Sequence, residues 1–236
     1  GTTFKAGDSQ LAQDWEQEYG TDFDDFRTLI TWRNDTRDSA IFPRVGSSQT
    51  LSALLSIPGS DLEFYRLNYR HQHYVPITGD YIIHLGLDVG YGDGMGDTDI
   101  LPFFENFFAG GTKTVRGFEQ NTLGPRETAD PHSDPIGGNL KGVANFELIF
   151  PTFLGGQFEK TTRASAFLDV GNVWLTYGPE DRDSIGFDLD DLRYSVGLSA
   201  SWLSPLGALT VSLAYPLNDK EGDQVENFQF SIGQSF

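Results

Sequence analysis

From Phe23 to its last residue the chain alternates apolar and polar side chains with a period of two, and no other feature narrows its fold as far. Successive side chains on a strand point to opposite faces, so sustained alternation means strands with one apolar and one polar face. Phe26, Thr28, Ile30 and Trp32 form one face against Arg27, Leu29, Thr31 and Arg33. Tyr81, Ile83, Leu85, Leu87 and Val89 oppose His84, Gly86 and Asp88, and Ala164, Ala166, Leu168 and Val170 oppose Ser165, Asp169 and Gly171. The pattern recurs over 50–57, 65–72, 140–150, 192–202, 209–215 and 227–236, which makes nine strands.

The connections come in two kinds. Pro58-Gly59-Ser60, Ile77 to Asp80 and Pro205-Leu206-Gly207 read as short turns, while 92–138, 175–190 and 217–226 are long and polar. Short turns on one side and long loops on the other are the asymmetry of a transmembrane barrel. A soluble β-sandwich also alternates, but its polar face tends to carry many Lys and Glu. Here that face is rich in Ser, Thr, Asn, Gly and isolated charges, which suits a wet lumen. The 19 Phe, 9 Tyr and 4 Trp supply aromatic girdles, with Trp32, Trp174, Trp202 and Tyr215 read as belt residues. Residues 1–22 read as an extracellular loop segment with one short helical turn. The expected fold class is therefore all-β, a transmembrane antiparallel up-and-down barrel occupying 23–236, with 92–138 as a long extracellular loop.

Bacterial single-chain barrels use even strand numbers. The odd count, together with a start inside a polar loop, leads to the expectation that this is the C-terminal part of a larger barrel. The segment FFENFFAGGTKTVRGFEQNTLGP at 103–125 resembles the sixth extracellular loop of the BamA family, the outer-membrane protein assembly factors. Further similar stretches are FPRVGSSQTLSALLSIPGSD at 42–61, GYGDG at 90–94, GGNLKGVANFELIFPT at 137–152, AFLDVGNVW at 166–174, SWLSPLGALTVSLAYPL at 201–217 and the terminal FQFSIGQSF. The resemblance implies a sixteen-stranded barrel behind periplasmic POTRA domains, with this chain holding strands eight to sixteen. It also implies a VRGF loop folded into the lumen, and a lateral seam at the last strand that opens to lipid and accepts client strands.

Two sets of residues follow. Glu147 and Asp169 fall by parity on the polar face of their strands, so an Arg from an infolded loop can bridge both carboxylates with charge-assisted hydrogen bonds. The resemblance assigns that contact to Arg116, flanked by Gly117 and Phe118, as a loop-anchoring network; a solvated loop arginine is the competing reading. The second set is Phe228, Phe230, Ile232, Gly233 and Phe236 on the last strand. A weakly paired edge templates β-augmentation, Gly233 interrupts the alternation, and the aromatic terminus doubles as the chain's own insertion signal.

The function expected is folding and insertion of β-barrel proteins in the outer membrane of a Gram-negative bacterium. The partners expected are client barrels, outer-membrane lipid and, through periplasmic domains outside the chain, assembly-complex lipoproteins. Exposed strand edges also suggest self-association of the isolated fragment. A polypeptide transporter of the same superfamily, of the two-partner secretion or TamA type, is the alternative, with a passive porin behind it. A formal net charge of −18 argues against nucleic acid. With no cysteine there is no thiolate site. Nothing resembles a nucleophile with its base, so no enzyme and no cofactor are expected. Asp93, Asp97 and Asp99 do not meet the calcium-loop spacing, and His71 and His73 share a face without a third metal ligand.

Overall fold

We describe the chain from a computed structural model over residues 2–3, 10–20, 22–128, 130–152, 161–177, 186–205 and 207–233. Its frame is one antiparallel sheet of nine strands in sequence order. They are β1 (Arg27–Asp35), β2 (Gly46–Ser56), β3 (Phe64–Thr78), β4 (Tyr81–Gly94), β5 (Leu140–Phe150), β6 (Thr162–Trp174), β7 (Arg193–Ser204), β8 (Gly207–Pro216) and β9 (Phe228–Ile232). Every neighbour pairs with the next, and β1 and β9 are the two edges of the sheet. No helix among the described residues is long and apolar enough to cross a membrane, which does not bear on crossing by strands.

Register places the alternation on opposite faces. Asn145 lies across from Asp169, Glu147 from Phe167 and His84 from Glu147, so these side chains share the inner face. The outer face carries Leu85, Leu87, Phe146, Leu168, Leu198, Leu213 and Phe230, all exposed. The inner face instead buries Asp88, Lys141, Ser165, Asp169, Ser195, Ser199, Ser212 and Gln229. An apolar exterior around a polar interior inverts a soluble protein and suits lipid outside and water inside.

The core is correspondingly unusual: it is a loop packed against the concave face. Phe107, Ala109, Val115, Phe118 and Leu123 from the connection 95–139 cluster with Val143 of β5 and Val173 of β6. A second cluster joins Trp15, Phe23, Leu62, Phe64 and Leu101. It explains why the helical part of 10–20 exceeds the single short turn expected. Gln10–Tyr19 form a full α-helix (α1), with Trp15 stacked on Tyr19 at 4.2 Å between ring centroids and buried against the strand ends.

Three sequence expectations need correction. The turn at Pro58-Gly59-Ser60 joins β2 to β3 on the same side as the long loops, while the ten residues 36–45 lie on the side of the connections from β3 to β4 and from β7 to β8. Trp174 is not an exposed belt residue: it is 3% exposed, its indole N–H donates to the Asp188 carbonyl at 2.8 Å, and Phe187 covers its ring. Trp32 pairs with Leu51 at mid-strand, away from either strand end. Trp202 and Tyr215 do point outward and are exposed.

Candidate functional site

The turn-rich segment Gly110–Phe118 descends onto the inner face of β5 and β6, where parity has gathered acceptors from different strands. Asp169 is fully buried, and its carboxylate takes three hydrogen bonds from Arg116: from Nε at 2.7 Å, from a terminal guanidinium nitrogen at 2.8 Å and from the backbone N–H at 3.1 Å. The other terminal nitrogen of Arg116 reaches Glu147 at 2.7 Å, and the guanidinium lies 3.5 Å from the centroid of the Phe167 ring. Burial alone would lower the pKa of this guanidinium, but Asp169 and Glu147 outweigh it and raise the value. Arg116 is a cation fixed by two anions and a ring.

Asn145, directly opposite Asp169, donates to its Oδ1 at 2.8 Å and to the Thr114 carbonyl at 2.7 Å. It ties the loop backbone and the acid to one side chain. The parity that placed Glu147 and Asp169 also places Asn145, so a signal for it existed. The same fork-shaped recognition by a lysine would offer only a point charge.

Gly117 and Phe118 occupy the far end of the segment. Gly117 has φ of +92°, and a Cβ there would lie 3.2 Å from that of Ala214, so the left-handed backbone and the close approach to β8 both select glycine. Phe118 is fully buried, and Gly117–Phe118 pair antiparallel with Val225–Glu226 just before β9. Gln229 of β9 completes the junction. Its Oε1 accepts from Gly117 N–H at 3.3 Å, and its Nε2 donates to the Phe118 carbonyl at 2.8 Å. Buried and invisible to motif reading, Gln229 joins the loop to the last strand.

A second anchor was not foreseen at all. Phe107 sits between two cations, with Arg66 at 4.1 Å and Lys141 at 5.2 Å from its ring centroid, while Lys141 also pairs with Asp88 at 2.8 Å. Gly90 makes the space, since a Cβ there would come within 2.5 Å of the Phe107 ring. Arg27 of β1 pairs with Glu105 of the same loop.

On the last strand Phe228, Phe230 and Ile232 point outward and are exposed. Gly233, at φ of +131°, donates its N–H to the Ala208 carbonyl at 2.9 Å with open space around its Cα. Phe236 lies outside the described residues. The structure thus joins Arg116, Glu147 and Asp169 in one network and links Gly117 and Phe118 to β9 through Gln229. His71 and His73 stack beside Tyr69 on the outer face, apart from the lumenal acids. Among the described residues no group of three or more His, Cys, Asp or Glu could hold a metal ion.

Comparison with known proteins places this arrangement in a family. The Omp85 superfamily domain matches residues 2–236, and the chain belongs to that superfamily. It is 35% identical over 230 residues to the outer membrane protein assembly factor BamA of Neisseria meningitidis, covering 89% of this chain and 29% of that protein. It is 27% identical to the mouse sorting and assembly machinery component 50 homolog, covering 86% of this chain and 44% of that one. The crystal structure of BamA from Haemophilus ducreyi lacking POTRA domains 1-3 superimposes with a TM-score of 0.83 at 27% identity, over 94% of this chain and 47% of that chain. The chain therefore spans less than a third of the neisserial relative.

Proposed function

With membership of the Omp85 superfamily as the premise, we propose that the chain is the C-terminal part of an outer-membrane barrel that folds and inserts other β-barrel proteins. The observation that carries this reading is the pairing of β9. Among the described residues it pairs with β8 over five positions only, Phe228–Ile232, while its buried Gln229 is tied to the Arg116 loop. A strand edge offers unpaired donors and acceptors to an incoming strand. The loop then has a mechanical part: Arg116, held by Asp169 and Glu147, fixes the segment whose far end grips β9, so the last strand keeps its shape for an incoming one.

The site works through geometry and pairing rather than group transfer, so no cofactor and no enzyme activity enter. Client barrel proteins are the substrates, lipid is the medium, and accessory assembly lipoproteins bind periplasmic domains beyond this chain. A cysteine or photo-crosslinker at Ser231 of the full-length protein tests this reading during porin assembly. Crosslinks to the C-terminal strands of several unrelated barrel clients support it. Crosslinks to one secreted polypeptide alone place the chain in a dedicated transporter.

A further inference from the structure

The connection 36–45, which includes the FPRV stretch, has no part in the network above, yet its geometry is specific. It leaves β1 on the side of the connections from β3 to β4 and from β7 to β8 and folds across the inner face instead of staying at the rim. At its start Arg37, with a 3% exposed side chain, donates through Nε and a terminal nitrogen to Asp35 at 2.9 and 2.8 Å. Another terminal nitrogen of Arg37 reaches Gln72 of β3 at 3.4 Å. At its base the Asp38 carboxylate accepts the backbone N–H groups of Arg44 at 2.8 Å and Val45 at 3.3 Å.

The tip is held from across the sheet. Arg163 of β6 donates to the Phe42 carbonyl at 2.6 Å and to the Pro43 carbonyl at 2.8 Å, with its guanidinium 4.8 Å from the centre of the Phe42 ring. In strand order β3, β4 and β5 separate β2 from β6, so the contact is a chord through the interior. No carboxylate forms a salt bridge with Arg163 among the described residues; its hydrogen bonds go to the strap's backbone. Phe42 itself has φ of +56°, a left-handed conformation that a bulky side chain keeps only where its surroundings impose it. Above this tip lies a chamber of about 340 Å³, walled by Ile41, Phe42 and Pro43 on one side and by Lys113 and Arg116 on the other.

We propose that residues 36–45 are a latch that shuts the periplasmic mouth of the lumen against small solutes, with Arg163 as the residue that fastens it. A barrel with an unobstructed lumen is a leak, and a strap held by two charge-assisted bonds obstructs it at one mouth without hindering the last strand. The proposal requires only a membrane-embedded barrel and stands whether or not the protein assembles clients.

The test is ionic current through the full-length protein in planar bilayers, alongside trypsin added from the periplasmic side, which cuts after Arg44 when the strap is free. Arg163→Gln is expected to raise both the steady current and the cleavage rate about tenfold, the consequence of losing charge-assisted bonds to two carbonyls. Arg163→Lys, a point donor, falls between. A folded Arg163→Gln barrel as tight and as protease-resistant as the wild type overturns the proposal. If that variant does not fold, replacing residues 39–43 by Gly and Ser at equal length asks the same question. A current unchanged from wild type in that folded variant also overturns it.

Discussion

Asp169 receives both the side chain and the backbone N–H of Arg116, so one buried carboxylate fixes the position and the direction of the loop at once. A guanidinium needs its planar fork for this, because Nε and a terminal nitrogen address the two oxygens in parallel. Glu147 then occupies the remaining face, and Phe167 lies beneath.

Removing the arginine leaves Asp169 buried without its cation and Glu147 with only His84 beside it. Arg116→Ala should destabilise the folded barrel by about 3–5 kcal/mol, the cost of breaking a buried pair. Arg116→Lys should recover only a part, since a point charge cannot bridge Asp169 and Glu147 in the same geometry. Heat-modifiable mobility on gels, with protease accessibility of 110–118, reads both; equal behaviour of Lys and Arg would refute the fork argument.

Among the described residues, Gln229 is the one side chain of the last strand that hydrogen-bonds to the loop. Gln229→Leu keeps the volume and removes the bonds, leaving the Phe118 carbonyl without that donor. It should loosen β9 by about 1–3 kcal/mol, the penalty of an unsatisfied buried group. Hydrogen exchange at 228–232 should quicken while exchange in β5 and β6 stays as it was.

Gly90 is needed for space. Gly90→Ala pushes a methyl into Phe107, buried between Arg66 and Lys141. Overpacking of this kind costs about 1–3 kcal/mol, and adding Phe107→Leu to Gly90→Ala should restore part of it. Thermal unfolding of the two variants measures the difference.

Gly233 adopts a backbone conformation closed to alanine, although nothing crowds its Cα. Gly233→Ala should therefore drive the chain toward an extended path, lengthen the pairing of β9 with β8 and slow client assembly. Slower exchange beyond Ile232 together with reduced assembly supports this, and faster exchange contradicts it.

Much of this fold was legible because strand parity is a local property. All nine strands follow from alternation, with their ends displaced where the signal fades. Tyr74 to Thr78 continue β3, and Gly90, Gly92 and Gly94 extend β4 without side chains to report a face. Parity also placed Glu147 and Asp169 together, and it would have added Asn145 and Arg163, which lie on the same inner face. The loop interior was not legible. Phe107 and Leu123 are buried by a tertiary surface that no periodicity describes, and Gln229 bonds to residues more than a hundred positions away. The lengthened α1 follows from Trp15 finding a pocket of strand ends. Helix propensity in a polar segment gives no hint of that.

On the proposed function, the whole barrel inserts many different barrel proteins rather than exporting one substrate. Depleting the full-length parent in its own cell and quantifying folded porins in the outer membrane tests it most directly. Several unrelated barrel proteins should fall together and stay low when an Arg116→Ala copy replaces the parent. Porins that hold steady while a single secreted protein disappears would contradict it.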